Sequence, residues 1–126
     1  MTKRIIAVVE DMFFASKIRA VAESLGSDLT FARNVGLLLE KARERKPHLI
    51  VVDLHNQKTP PISIAEAIRA DPQLKDVELL GFFSHVEVEL QRQAKAVGYS
   101  QVVPRSVFSR DLPSIIGEVS QQWPGR

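Results

Sequence analysis

Short runs of apolar residues alternate along the chain with segments whose apolar positions recur at helical spacing. Five of the runs predict strands, because β-branched, leucine or aromatic residues stand at successive positions in them. They are Arg4 to Val9, Leu29 to Phe31, His48 to Asp53, Glu78 to Phe83, and Gln101 to Val103. The third run is apolar at every position from 49 to 52, as expected for a strand that is covered on both faces.

Five amphipathic segments follow these runs, each with a stripe of apolar residues on one side. The stripes are Phe14, Ile18, Val21, Ala22 and Leu25; Val35, Leu38, Leu39 and Ala42; Ile64, Ala65 and Ile68; Val86, Leu90, Ala94 and Val97; and Leu112, Ile115, Ile116, Val119 and Trp123. We expect Asn34 to cap the second helix and Ser109 the last one. Gly26 and Gly98 are predicted to end the first and fourth helices.

Strands that alternate with helices in this way indicate one α/β domain over residues 1–126, with a parallel sheet covered on both faces. Right-handed crossovers favour the doubly wound, flavodoxin-like order 2-1-3-4-5. In such a sheet, ligands bind beyond the carboxyl ends of the strands, where the strand order reverses. Glu10 and Asp11, just past the first strand, are therefore expected beside Asp53, the last residue of the third.

Composition and charge remove several classes of protein. The absence of cysteine excludes disulfides and thiolate sites, and 44% hydrophobic with 25% charged residues is typical of a folded chain. The net charge is only +2, and acids alternate with bases in the densest charged segment, 40–46, so no nucleic-acid partner is expected. No apolar run is long enough to span a bilayer and no signal peptide is visible, which predicts a cytoplasmic protein without a membrane partner.

Three carboxylates at one sheet edge predict a divalent cation, because like charges raise one another's pKa unless a cation intervenes. Mg²⁺ takes carboxylate, water and phosphate oxygens in octahedral geometry. With Glu10 and Asp11 on the metal, Asp53 is a candidate nucleophile toward a phosphoryl group, since aspartate can form an acyl phosphate. The alternative is that the two acids at residues 10 and 11 only cap the first helix.

Four segments of the chain, taken in order, carry a resemblance to a known family. These are Ile5 to Asp11, Lys46 to Leu54, Ile68 to Pro72 and Ala96 to Tyr99. With the final helix, this ordered set resembles the receiver domain of two-component response regulators over nearly the whole chain. The resemblance implies a single-domain, non-enzymatic signalling protein in a phosphorelay.

The same resemblance implies roles for individual residues and partners. Asp53 would be the phosphoacceptor, and Mg²⁺ would be held by Glu10, Asp11, Asp53 and the backbone carbonyl of His55. The phosphate would come from a sensor histidine kinase or a phosphotransfer protein, and the output would pass to a downstream protein target, with a homodimer as a further option.

Two departures from the family pattern mark the chain as atypical. Arg105 stands where receivers have a lysine, and a guanidinium fork does not replace an ammonium at a phosphoryl site. Phe83 stands where they have a threonine or serine, with Ser84 one residue later. We expect Ser84 and Arg105 near the phosphoryl oxygens. The alternative function is a phosphorylation-independent protein–protein interaction module, a pseudo-receiver.

Other functions of related folds fit the sequence less well. A cobalamin site would need a glycine at position 58, where this chain has Lys58. A flavin carrier would need a phosphate-binding loop after the first strand, where the acids at 10 and 11 would repel an anion. His48 and His85 stand without a partner at metal-ligand spacing. Of the adjacent pair Phe13 and Phe14, one is expected in the core and the other at the acidic edge or against a partner.

Overall fold

The computed structural model describes residues 3–117, in which five strands alternate with six helices. The strands are β1 (Arg4–Val8), β2 (Asp28–Phe31), β3 (Leu49–Asp53), β4 (Glu78–Phe83) and β5 (Gln101–Pro104). The helices are α1 (Met12–Ser24), α2 (Val35–Glu44), α3 (Pro61–Ala70), α4 (Val88–Val97), α5 (Arg105–Arg110) and α6 (Leu112–Gly117). The strands form one parallel sheet in the order β2-β1-β3-β4-β5, which confirms the predicted topology.

The strand register sets the position of the acidic residues. Val8 of β1 pairs with Val52 of β3, and Asp53 pairs with Phe82 of β4. Because all strands are parallel, their carboxyl ends share one edge of the sheet. The loop 9–11 therefore leaves the sheet beside the end of β3, as the sequence predicted.

Each face of the sheet carries its own hydrophobic cluster. Alternate side chains of one strand point to opposite faces, so Ile6 and Ile50 pack under α2, α3 and α4, whereas Ile5 and Leu49 pack under α1, α5 and α6. All four of these side chains are fully buried. The two clusters hold both sets of helices against the sheet and leave its carboxyl edge to the loops.

Capping residues that can be recognised in the sequence mark three of the helix ends. Asn34 Oδ1 accepts the N–H of Leu37 at 2.8 Å and begins α2, as predicted. Gly26 and Gly98 have φ values of +69° and +119°, a region that favours glycine, and they follow α1 and α4. These residues fix where α2 begins and where α1 and α4 end.

Two helix boundaries differ from the sequence prediction. Ser109 is not a cap: it lies within α5, which begins at Arg105, and Asp111 separates α5 from α6. Pro113 explains the break, because it has no N–H to donate to the carbonyl four residues earlier and fits only the first turn of α6. Val86 precedes α4 and is 75% exposed, so it does not belong to the buried stripe.

The remainder of the last stripe is buried, at Leu112, Ile115 and Ile116. Its predicted members Val119 and Trp123 lie outside the described residues. Within residues 3–117, no helix has the length and apolar character needed to cross a membrane.

Candidate functional site

Asp53 ends β3 with its carboxylate only partly exposed. Its Oδ1 accepts the backbone N–H of His55 at 2.9 Å, which turns the chain sharply after the strand. The next residue, Leu54, still donates its N–H to the carbonyl of Phe82 at 2.9 Å. One oxygen of the predicted phosphoacceptor is thus engaged by its own loop.

Asp11 caps α1 and makes an ion pair with the start of α5. Its Oδ1 accepts the N–H of Phe14 at 3.1 Å, and its Oδ2 accepts from Nη2 of Arg105 at 2.8 Å. The hydrogen bond from Phe14, followed by that from Arg105, lowers the pKa of Asp11 below its ordinary value. The helix-capping role that the sequence left open is therefore confirmed for Asp11, and an arginine satisfies its second oxygen.

Arg105 is held in this place by an aromatic cluster. Its guanidinium carbon lies 4.3 Å from the ring centroid of Phe14, a cation–π contact. Phe14 in turn packs against Phe82 and Phe108, with centroids 5.0 Å and 5.6 Å away. A planar guanidinium can stack on the ring and still present its N–H groups to Asp11, which an ammonium cannot do equally well.

Glu10 is exposed and faces a lysine. Its Oε2 lies 3.6 Å from Nζ of Lys58, in the loop that follows β3. That loop is anchored by Thr59, whose N–H donates to Asn56 Oδ1 at 3.0 Å and whose hydroxyl donates to the carbonyl of Arg33 at 2.9 Å. Thr59 is buried, so these hydrogen bonds fix the backbone of the loop that carries Lys58.

The side chains as they lie do not fit the predicted magnesium ion. Across residues 3–117, no three His, Asp or Glu side chains are grouped so that they could hold a metal. Both oxygens of Asp11 accept N–H groups, and Glu10 faces an ammonium. A metal there would face the positive charges of Arg105 and Lys58 at close range. Mg²⁺ at Glu10, Asp11, Asp53 and the carbonyl of His55 stays a prediction that this geometry does not favour.

An open groove of about 630 Å³ runs between α1, the end of β4 and the start of α5. We call it the aromatic groove; its lining includes Phe13, Lys17, Phe83, Ser84, Val86 and Arg105. The structure thus brings the predicted residues Ser84 and Arg105 to one surface. Asp53 does not line it, and Phe83, at the position where receivers have a hydroxyl, is buried in the core.

No protein-family model matches the chain, and no curated protein matches it in sequence. Solved structures match it closely in shape. The chemotaxis response regulator CheY4 of Vibrio cholerae superposes with a TM-score of 0.80 at 18% identity, over 94% of this chain and 99% of that one. The signal receiver domain of a response regulator from Bermanella marisrubri gives 0.81 at 19%, over 96% and 100%. The phosphorylated cyanobacterial phytochrome response regulator RcpA gives 0.78 at 16%, over 98% and 94%.

The chain has the fold of a response-regulator receiver domain. The match covers nearly the full length of each of these structures, so it extends to all five strands of the receiver fold. At such identities the likeness concerns the fold, and the chemistry has to be argued from this chain's own side chains.

On this receiver fold, sequence analysis missed a contact between the loops after β3 and β4. The rings of His55 and His85 meet edge to face, with centroids 5.4 Å apart, and the N–H of His85 donates to Nε2 of His55 at 3.3 Å. Nδ1 of His55 lies 3.5 Å from Oε2 of Glu87. His85 is therefore not isolated. The two histidines are 30 positions apart, and only the β3–β4 pairing signals that they meet.

One of the two adjacent phenylalanines lies in the core, as the sequence predicted. Phe14 is buried in the core beside the acidic edge, whereas Phe13 is 91% exposed. Phe13 lies at the mouth of the aromatic groove together with Val86, which is also exposed. The two exposed side chains give the mouth of the groove an apolar rim.

Proposed function

We propose that this chain is a signalling module of the receiver fold that acts by binding a protein partner, independently of magnesium-assisted phosphorylation. The observation that carries the proposal is the ion pair between Arg105 and Asp11, at 2.8 Å. The arginine side chain supplies permanently the positive charge that a divalent cation would bring to this edge.

The charge balance at the edge supports this function. Transfer of a phosphoryl group to a carboxylate needs cations to neutralise the charge that develops on the phosphoryl oxygens. Here the guanidinium of Arg105 is already engaged by Asp11 and by the ring of Phe14. A metal ion bound at Oδ2 of Asp11 would have to displace Arg105 from that oxygen.

The aromatic groove supports a protein partner. Phe13 and Val86 are 91% and 75% exposed at its rim, and aromatic side chains such as Phe13 are enriched at protein interfaces. Lys17 adds a positive charge to the lining. The partner that fits is a protein segment with an apolar side chain for the groove and a carboxylate for this ammonium group. Of the partners that the family resemblance implies, a downstream protein target meets this description.

Phosphorylation of Asp53 is the second candidate, and one observation favours it. The carboxylate is partly exposed, and its Oδ2 makes no hydrogen bond to any residue in the described part of the chain. That oxygen is available for attack on a phosphoryl group. In this alternative, the phosphate donor would be a sensor histidine kinase or a phosphotransfer protein.

Incubation with a small phosphodonor and Mg²⁺, followed by intact-mass measurement, distinguishes the two candidates. The proposal predicts no adduct on the unaltered chain. An adduct that disappears in Asp53→Ala would instead support the phosphoacceptor. Arg105→Gln should allow an adduct to form only if the ion pair blocks the metal. Arg110→Gln is the matched control, because Arg110 lies on α5 as Arg105 does but pairs with Asp111.

Binding through the groove is tested by capture followed by cross-link mapping. Phe13→Ser should abolish capture of the partner, and cross-links from Lys17 should reach it. Val88→Ser is the control, because Val88 is also an exposed apolar residue, at 74%, but does not line the groove. If Phe13→Ser instead converts a dimer of this chain into monomers, the groove's occupant is a second copy, and the proposal of a different partner is wrong.

A further inference from the structure

We propose that a second cavity of this chain binds a small organic anion, a molecule with an apolar body and a carboxylate or phosphate group. The cavity has a volume of about 370 Å³ and lies between α1, the end of β2 and the loop that follows β3. We call it the cationic cavity. It is separate from the aromatic groove, with which it shares no lining residue, so this inference does not depend on the proposed function.

The walls of the cationic cavity offer an apolar surface of suitable size. Cavities that bind small molecules generally measure from about 300 to 1,000 Å³ and are mostly apolar, with a few well-placed polar groups. The apolar part of the lining comes from α1, the end of β2 and the loops after β1 and β2, and consists of Val9, Met12, Ala15, Phe31 and Ala32. The apolar body of a ligand would lie against these side chains.

The charged part of the lining is predominantly positive. Arg19, Arg33 and Lys58 line the cavity, against the single carboxylate of Glu10. Lys58 lies 3.6 Å from Glu10 in a well-exposed pair, which holds it only weakly. Within residues 3–117, no carboxylate lies at ion-pair distance from Arg19 or Arg33. Two guanidinium groups without acidic partners suit a carboxylate or phosphate, which they bind through paired N–H donors.

One of these arginines is oriented by the cavity wall. The guanidinium carbon of Arg19 lies 5.1 Å from the ring centroid of Phe31, which also lines the cavity. Stacking on an aromatic face restricts the guanidinium plane and reduces the entropy that a ligand would have to remove. The site is therefore partly preorganised for an anionic group.

An amide also lines the cavity. Asn56 Oδ1 accepts the N–H of Thr59, and its Nδ2 donates no hydrogen bond to any of the residues 3–117. Although the residue is only 6% exposed, Nδ2 is not among the fully buried side-chain atoms that lack a partner in the described part of the chain, so solvent or a ligand reaches it. We expect an anionic oxygen of the ligand to accept from this N–H₂ group as well as from an arginine.

An NMR titration of the full chain tests the inference with three matched probes. They are 1-naphthyl phosphate, 1-naphthoate and the neutral 1-naphthalenemethanol. We expect saturable shifts of the side-chain amide of Asn56 and of the Nε–H groups of Arg19 and Arg33 with at least one of the anions. The neutral alcohol should bind about tenfold more weakly or worse, because it lacks the charge-assisted hydrogen bonds. The tighter anion identifies the preferred headgroup. Equal binding of the alcohol, or no saturable binding of either anion, would overturn the proposal.

Substitutions then locate the site. Asn56→Asp keeps the acceptor for Thr59 but removes the donor and adds a negative charge, so affinity for the anion should fall about tenfold or more. Arg33→Gln should weaken binding as well and serves if Asn56→Asp does not fold. Arg92→Gln on α4 is the control, because Arg92 lies outside the cavity and pairs with Glu89. Unchanged affinity in a folded Asn56→Asp or in Arg33→Gln would contradict the assignment.

Discussion

Arg105 donates to the carboxylate of Asp11 at 2.8 Å while its guanidinium lies 4.3 Å from the ring of Phe14. The two contacts fix one side chain between the first loop of the carboxyl edge and the aromatic core. The acid at position 11 thereby has a permanent counter-charge within the chain. This relationship is the reason to interpret the receiver fold here as a module that does not depend on a metal.

Replacing Arg105 should make the edge more receptive to magnesium. In Arg105→Gln, Asp11 loses its counter-charge, and the repulsion that a divalent cation meets at this edge falls. We expect Mg²⁺ titration, followed by amide shifts of residues 10–14, to show saturation at several-fold lower concentration than in the unaltered chain. Arg110→Gln should not change the titration. If the unaltered chain already binds Mg²⁺ as tightly as Arg105→Gln, the ion pair does not exclude the metal.

Acid should destabilise the chain partly through Asp71. Nε of Arg43 donates to this buried carboxylate at 2.8 Å, and that hydrogen bond, followed by the N–H of Gln73, lowers the pKa of Asp71. A carboxyl with a lowered folded-state pKa stabilises the fold above its unfolded pKa, about 4, and the stabilisation is lost as the pH falls through the folded value. Urea unfolding between neutral pH and pH 3 should therefore show a shallower decline for Asp71→Asn.

Glu66→Gln is the control for this pH series, because Glu66 is exposed and forms no ion pair within residues 3–117. Its stability profile should run parallel to that of the unaltered chain. A profile for Asp71→Asn with the same steepness would show that Asp71 gives no pH-dependent stability.

Tyr99→Phe should weaken the packing of α3 against the sheet. The buried hydroxyl of Tyr99 donates to the carbonyl of Pro61, the first residue of α3, at 2.7 Å. Burial raises the pKa of Tyr99, so the hydroxyl stays protonated and remains a donor. Its removal loses this buried hydrogen bond and should cost about 1 kcal/mol of unfolding free energy. Thermal unfolding should show a Tm lower by roughly 3–8 °C; an unchanged Tm would show that the bond contributes nothing.

Gly81 maintains the space for the residue that follows Asp53. A Cβ at position 81 would lie 2.6 Å from Cδ2 of Leu54, and both residues are buried. Gly81→Ala should lower the unfolding free energy by about 1–3 kcal/mol through overpacking. Leu54→Ala removes the clash, so the double variant should be more stable than the sum of the two single effects. Strict additivity in this urea-unfolding cycle would refute the clash.

The fold was accessible from the sequence because the evidence for it is local. Runs such as 49–52 and glycines such as Gly98 indicate strands and helix ends without reference to distant residues. Strand order then follows from general rules of parallel sheets. The helix α5 was missed because the apolar stripe that predicts the last helix begins only at Leu112, after the break at Asp111, and Ser109 was expected to begin that helix.

The site was only partly accessible, because it depends on which distant side chains meet. The sequence brings Asp11 and Asp53 to the same edge, but Arg105 lies 94 positions from Asp11, and nothing local shows that their charges pair. The contact between His55 and His85 has the same character. Sequence analysis identified acids that could hold a metal, whereas the structure shows that cations from other elements already face two of them.

The most direct test of the central claim is intact-mass measurement after incubation with a small phosphodonor and Mg²⁺, on the unaltered chain and on Asp53→Ala. If Arg105 holds Asp11 in solution as it does here, both proteins should keep their unmodified mass. A phosphoryl adduct on the unaltered chain that is absent from Asp53→Ala would contradict the account and restore Asp53 as a working phosphoacceptor.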